Sequence, residues 1–371
     1  MREQNILVIG GGIGGLTSAI ALGREGHRVT IVEKDPNWAV YGVGIIQQAN
    51  VIRAVKKLGI IDDYIDAGFG FDAVEVYLPD GVKAARIPIQ KLEAEYPASL
   101  GIGRPALHRV LGDRARLAGA DVRLGVVVDA IEQDENGVTV QLSSGASERY
   151  DLIVGADGLY SRTRGQIFPD AVRPEFTGQS VWRYNFPKSA ALDCLHAYEG
   201  AIGVGLVPLS ANLMYLFATT PEPGNPRYPV EGLAARMRDR LEGTAPAIAA
   251  LAEQIVDDQA VVHKPLEWLF VDGPWHKGRV VLLGDAVHAT TPHLGQGAGM
   301  AIEDSLVLAE EISRSNDFES AFSAFHERRF ARCRYIVESS LALCRSQLGE
   351  GPKVEQAAAT HAMFARIAEP I

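Results

Sequence analysis

The stretch that decides the fold is residues 5–33, NILVIGGGIGGLTSAIALGREGHRVTIVE. Asn5–Ile9 is a short apolar run that ends in glycine, the pattern of a strand buried on both faces of a parallel sheet. Gly10, Gly12 and Gly15 then give G-x-G-x-x-G, with Gly14 inside the motif. Leu16, Ala19, Ile20 and Leu22 follow at helical spacing, Gly26 stops the helix, and Arg28–Val32 forms a second strand closed by Glu33. Each glycine has its own physical reason. Gly10 permits the tight turn, Gly12 lets a pyrophosphate approach the backbone, and Gly15 lets the helix pack closely on the sheet. The helix N-terminus presents free N–H groups and a partial positive charge to phosphates. Glu33, 18 residues beyond Gly15 and followed by Lys34, stands where an acid accepts hydrogen bonds from a ribose. Strand, glycine turn, helix, strand and acid together predict an adenine-dinucleotide site and leave the dinucleotide itself open.

The chain has 371 residues, which at about 150 residues per domain predicts about two domains. It is 47% hydrophobic and 22% charged, a composition that excludes disordered and fibrous classes. The net charge of −10 argues against nucleic-acid binding, which needs a basic face, but leaves room for a locally positive pocket. Cys194, Cys333 and Cys344 are dispersed and odd in number, with no C-x-x-C, so neither a metal centre nor a redox disulfide is expected. The lead-in Met1–Gln4 precedes only four apolar residues after Asn5, too few for a signal-peptide core. Gly200–Pro221 carries no charge but is broken at Pro208–Asn212, which predicts a β-hairpin and no membrane span. These features suit a cytoplasmic protein.

Two later motifs narrow the cofactor. Asp151–Gly155 is an apolar strand running into Asp157, Gly158, Ser161 and Arg162. Arg279–Leu283 runs into Gly284, Asp285 and His288, then into Pro292-His293-Leu294-Gly295-Gln296-Gly297-Ala298 and an amphipathic helix. Both carboxylates lie just past strand ends, the ligand edge of an open α/β sheet. Gly101–Ala106, a second glycine-rich segment, is read as a loop entering a helix.

The three ordered motifs, spanning most of the chain, resemble the single-component FAD-dependent aromatic monooxygenases of the para-hydroxybenzoate and salicylate hydroxylase type. The resemblance implies a Rossmann-like α/β FAD-binding domain, an interleaved antiparallel-sheet substrate domain and C-terminal helices. It also implies residue roles. Glu33 would hold the adenosine ribose, Arg104 would contact the cofactor, and Asp285 would bind the ribityl–pyrophosphate region. Gly295, Gly297 and Ala298 would face the isoalloxazine, with Gly297 and Ala298 offering N–H groups. Asp157 would support FAD and nicotinamide use, or simply cap the turn near Ser161. Gly44, in Tyr41–Ile45, would lie in a flexible segment beside the flavin. NADH or NADPH would be a transient co-substrate with no second dinucleotide fold. His288 is expected to be a hydrogen-bonded structural residue.

Between these motifs, Val181–Phe186, His196–Tyr198, Ile202–Val207, Leu213–Thr219 and Val261–Trp268 read as strands, residues 73–90 join them, and residues 225–258 read as helical. The expected division is FAD-binding over 1–72, 101–172 and 276–330, substrate-binding over 73–100 and 173–275, and a helical segment over 331–371. Strand alternation puts Arg183 on the face opposite Trp182 and Tyr184, so Arg183 is a candidate clamp for a carboxylate or phenolate. His293 and Tyr215 are the other catalytic candidates, as base or hydrogen-bond donor to a phenolic oxygen. Several relatives carry a tyrosine or histidine where this chain has Val204, Leu206 and Val207, so their particular base does not carry over. Arg328, Arg329, Arg332 and Arg334 are read as a solvated or subunit-facing helix side, which would suit a homodimer.

The chemistry the resemblance implies is hydroxylation of a small aromatic or heteroaromatic, phenolic substrate by O2, through a flavin C4a-hydroperoxide. A base of tuned pKa and an apolar, water-excluding wall would help that step. The alternatives are a related flavin halogenase or oxidase, to which Trp182–Pro187 bears a partial likeness, and a non-catalytic FAD-binding redox sensor.

Overall fold

The computed structural model describes residues 3–371, so Met1 and Arg2 of the lead-in lie outside the described residues. Its first layer is a six-stranded sheet in the order His276–Lys277, Val280–Leu282, Leu152–Gly155, Asn5–Ile9, Arg28–Glu33, Asp121–Leu124. All neighbours in it are parallel except the first pair. Ile6, Leu7 and Val8 are wholly buried, as a central parallel strand covered on both faces requires. The helix Ile13–Arg24 returns over the sheet and packs on the helix Gly297–Arg314. The contact is close because small hydroxyls meet there: Ser305 Oγ lies 2.7 Å from Thr17 Oγ1 and 3.0 Å from Ser18 Oγ.

The second layer is a seven-stranded sheet: Val262–Trp268, Glu175–Pro187, Leu213–Pro221, Gly203–Pro208, Leu195–Tyr198, Ala73–Tyr77, Lys83–Pro88. The charge-free stretch is the expected hairpin, Gly203–Pro208 against Leu213–Pro221. Period-2 alternation divides the sheet's faces. Trp182, Tyr184, Phe186 and Leu216 pack under helices Leu233–Arg240 and Pro246–Ala252, against Met237, Leu241 and Ile248. Arg183, Tyr215 and Phe217 face the other way, toward the nucleotide-binding layer. Arg183 is register-paired with Phe217, and Asn185 with Tyr215.

Three expectations need correction. Ser99–Gly103 is a strand, paired with Gly44–Gln47 and Phe69–Phe71, and not a loop; the helix Arg104–Leu117 does follow it. A boundary between residues 330 and 331 falls inside the continuous helix Phe318–Gln347. The arginines of that helix do not form one solvated side. Arg329 is fully buried and Arg332 nearly so. Arg332 donates to the carbonyls of Ile367, Glu369 and Pro370, Arg53 donates to those of Ile367, Ala368 and Glu369, and Arg328 donates to that of Ile371. Ile367 and Ala368 carry open carbonyls at the end of the helix Gln356–Ala368, and Glu369, Pro370 and Ile371 follow it, so the arginines cap that helix and hold the residues after it. A three-stranded sheet, Val128–Asp134, Gly137–Leu142 and Ser147–Tyr150, was not anticipated. No helix among the described residues is long and apolar enough to cross a membrane.

Candidate active site

Two cavities of about 580 and 1020 Å³ lie between the layers. Gly12, Tyr41, Gly158, Lys264 and Asp285 line both, so the two form one elongated cleft. Its far end is bordered by Glu33, Lys34 and Val126–Val128, and its inner end by Arg183, Tyr215 and Phe217.

The glycine turn sits midway. Gly10 has φ +109°, and a Cβ on Gly15 would lie 1.9 Å from the Gly10 carbonyl oxygen. Gly12, by contrast, has open space where a Cβ would be, and it faces the cleft. The helix it begins has no side-chain cap, so its first N–H groups point unpaired at the cleft. The helix Gly297–Arg314 also lacks a side-chain cap and turns Gly297 and Ala298 into the cleft, next to Gly295. A long cleft met by two uncapped helix N-termini fits FAD. The first would hold its diphosphate, the second the electron-rich edge of its ring. Glu33 accepts the N–H groups of Gly11 at 2.8 Å and Asp35 at 2.9 Å, which fixes its carboxylate at the far end of the cleft.

Asp285 follows Gly284, whose φ of +60° makes the turn from the strand Val280–Leu282. The carboxylate is exposed to the cleft but enclosed by protein, and that burial raises its pKa, with His288 and Arg104 pulling the other way. Arg104 opens its helix and projects into the same space. Neither the Arg104 nor the Arg183 guanidinium has a hydrogen-bond or ion-pair partner among the described residues. Burial first, and Arg104 second, lower the pKa of Arg183 to about 10. Burial raises the pKa of the Tyr215 phenol, against the pull of both arginines. Gly44 lies against Tyr215: a Cβ there would come 2.6 Å from its ring and 2.4 Å from Leu209.

Asp157 takes the capping alternative, and His293 sits away from where it was expected. Asp157 borders the cleft, but its carboxylate accepts from Ser161 Oγ (2.6 Å) and from Thr163 N and Oγ1 (both 3.0 Å), so it caps the helix Arg162–Ile167. His293 is not brought into the cavity. The short 3-10 turn Pro292–Leu294 directs it to the C-terminal helices, with Nδ1 2.9 Å from Thr291 Oγ1 and Nε2 3.0 Å from Gln347 Oε1. Burial lowers its pKa to about 4. His288 is buried and its Nε2 lies 2.7 Å from Asp304 Oδ2.

Sequence reasoning missed three groups here. Trp38, at φ +50°, donates Nε1–H to the Gly11 carbonyl at 2.9 Å. Tyr41 lies over Lys264, whose Nζ is 4.2 Å from the ring centroid, and Asn185 donates to the Gly42 carbonyl at 2.6 Å, so residues 38–43 strap the two layers together. Gln48, Asn50 and Gln296 form a buried amide cluster beside Gly295. The amide-rich run Gln47-Gln48-Ala49-Asn50 was its one visible signal.

Comparison with known proteins places this geometry. The FAD binding domain family matches residues 3–339. The chain is 33% identical over 370 residues to 3-hydroxybenzoate 6-hydroxylase of Polaromonas naphthalenivorans, covering 93% of this chain and 88% of that one. It is 30% identical to aurachin C monooxygenase/isomerase of Stigmatella aurantiaca over 354 residues, covering 93% and 89%. The crystal structure of Klebsiella pneumoniae HpxO complexed with FAD and uric acid superposes with a TM-score of 0.84 at 26% identity, over 98% of this chain and 92% of that one. The uncapped glycine turn, the fixed acid at the far end of the cleft and this match over nine-tenths of the sequence agree: the chain belongs to the FAD binding domain family and is an FAD-dependent monooxygenase.

Proposed function

We propose that the protein uses NADH or NADPH and O2 to hydroxylate a small aromatic or heteroaromatic substrate that enters as an anion, a phenolate or ring carboxylate. The observation that carries this reading is the pair of unpartnered guanidiniums, Arg104 and Arg183, beside Tyr215 at the inner end of the cleft. A half-buried cation without a counter-charge is costly, and an anionic substrate supplies the missing partner. Bound FAD would be held by Gly10–Gly15, Glu33, Lys34, Asp285 and the Gly295–Ala298 segment, and would carry electrons from the nicotinamide to dioxygen.

The chain's own residues do the rest. Arg183 orients the anion from the sheet side, while Arg104 contacts cofactor and anion from the helix side. The Tyr215 hydroxyl donates to the phenolic oxygen, and its raised pKa keeps that proton on the tyrosine. Ile46, Val181, Phe217 and Leu266 give the same end an apolar wall that excludes water from the reacting oxygen. Asp157 acts through its helix, keeping the Gly158–Leu159 lining in place. His293 acts from behind the wall, as a hydrogen-bonded support for Thr291, and supplies no base to the ring. Relatives are named as differently as a 3-hydroxybenzoate 6-hydroxylase and a 2-heptyl-3-hydroxy-4(1H)-quinolone synthase, so the anion is identified by charge and size alone.

The test is NADH and NADPH oxidation by FAD-loaded enzyme against a panel of phenolic, carboxylated and neutral aromatic compounds, with products identified by mass. The expected result is stimulation by anionic members and a product heavier by one oxygen. Stimulation confined to neutral compounds would overturn the anion assignment.

A further inference from the structure

Outside the lining of the cleft lies a fully buried group of charges. Arg329, Glu303 and Asp304 are each no more than 1% exposed. Arg329 Nη1 donates to Glu303 Oε2 at 2.8 Å, its Nε donates to Asp304 Oδ1 at 2.7 Å, and its Nη2 donates to the Met300 carbonyl at 3.3 Å. Such a set is expensive for stability alone, since well-packed apolar residues of the same volume commonly do as well or better. What apolar residues cannot supply is direction, and the direction here is specific. The second oxygen of Asp304 accepts Gly284 N–H at 3.0 Å and His288 Nε2–H at 2.7 Å, which holds the turn that presents Asp285 to the cleft. The second oxygen of Glu303 accepts Asn50 Nδ2–H at 3.1 Å. Asn50 exchanges two 3.0 Å hydrogen bonds with Gln296, the residue between cleft-lining Gly295 and Gly297. Gln296 also donates to Gln48, which returns a bond to the Leu294 carbonyl at 3.1 Å.

We propose that Arg329 is a positioning residue for FAD: its forked guanidinium fixes the spacing between the Asp285 turn and the Gly295–Ala298 segment, the two parts of the chain that hold the flavin end of the cofactor. The proposal rests on the flavin reading of the cleft. The planar fork matters as much as the charge, because two differently aimed acceptors must be held at once and a lysine offers only a point charge.

The experiment measures the FAD Kd of apoprotein by flavin fluorescence quenching, the visible spectrum of bound FAD, and the Tm of the apoprotein. Arg329→Lys keeps both carboxylates neutralised. The triple variant Arg329→Met, Glu303→Gln, Asp304→Asn removes the three charges together, with Arg332 still bonded to its carbonyl acceptors and His288 facing a neutral amide, so the pair of variants covers a folding failure in either. The expected result is an FAD Kd weakened at least 10-fold in the triple variant and by a smaller factor in Arg329→Lys, with a shifted visible band in both. Apoprotein Tm that falls while the FAD Kd and spectrum stay at the wild-type values would make the group merely structural and overturn the proposal. Wild-type protein that fails to bind FAD would instead overturn the flavin reading beneath it.

Discussion

Single residues divide here by what their neighbours leave them free to do. Arg183 has no partner among the described residues, so its hydrogen-bonding capacity is open to a ligand. A charge-assisted hydrogen bond of this kind contributes about 1.5–3 kcal/mol. Arg183→Met should therefore raise KM for an anionic aromatic by roughly 10- to 150-fold, with FAD Kd within twofold of wild type; steady-state kinetics beside a flavin titration checks both. His293 is the opposite case, with both ring nitrogens engaged and a pKa near 4. The unfolded chain binds this proton near pH 6.5, so the histidine withdraws stability progressively as pH falls from about 6.5 to about 4. His293→Asn lacks that withdrawal. Its Tm deficit against wild type should be widest above pH 6.5 and narrow toward pH 4, and melting curves across that range decide it. Sequence alone placed His293 in the right segment but could not show its direction, which a single 3-10 turn sets.

Elements were legible where their pattern is self-contained. The strand Asn5–Ile9 is apolar throughout Ile6–Ile9 and Arg28–Glu33 is apolar at Val29, Ile31 and Val32 because both faces are covered, and the hairpin around Pro208–Asn212 declares its own turn. Ser99–Gly103 was illegible because two of its five residues are glycine, a poor strand former. Its neighbours demand that composition: a Cβ on Gly101 would lie 2.0 Å from the Pro208 carbonyl oxygen. The arginines of the helix Phe318–Gln347 misled for a related reason. Four cations in seven residues look solvated, but Asp304 and Glu303, the acceptors of Arg329, lie 25 and 26 residues away in the preceding helix. Capping is the testable part. Arg332→Leu leaves the Pro370 carbonyl without its donor and takes one of two donors from Ile367 and Glu369, which Arg53 still serves, and should cost about 1–3 kcal/mol. Amide exchange should accelerate over residues 356–368 more than over the six-stranded sheet, and uniform acceleration would contradict a local capping role.

At the scale of the molecule, the chemistry depends on two layers meeting along one cleft. The strap over residues 38–43 crosses that seam through Asn185–Gly42 and Tyr41–Lys264. Asn185→Ala should loosen the seam and admit water, so a several-fold larger share of nicotinamide oxidation should end as hydrogen peroxide rather than product. Peroxide measured against product gives that share, and unchanged coupling would show the strap to be dispensable. The glycine fingerprint, the acid after the second strand and the two later motifs made the nucleotide layer readable in advance. The strap, the amide cluster and the buried charges were hidden, because each joins residues far apart in the chain. The seven-stranded sheet carries one more consequence. Leu195–Tyr198 lies parallel to Ala73–Tyr77, so strands contributed by two distant stretches share one ladder. Neither stretch can be exchanged by itself. Anyone grafting a foreign substrate wall onto this nucleotide layer must transplant both pieces together, matched residue for residue from Val74 against Leu195 to Tyr77 against Tyr198, or the recipient inherits a torn sheet.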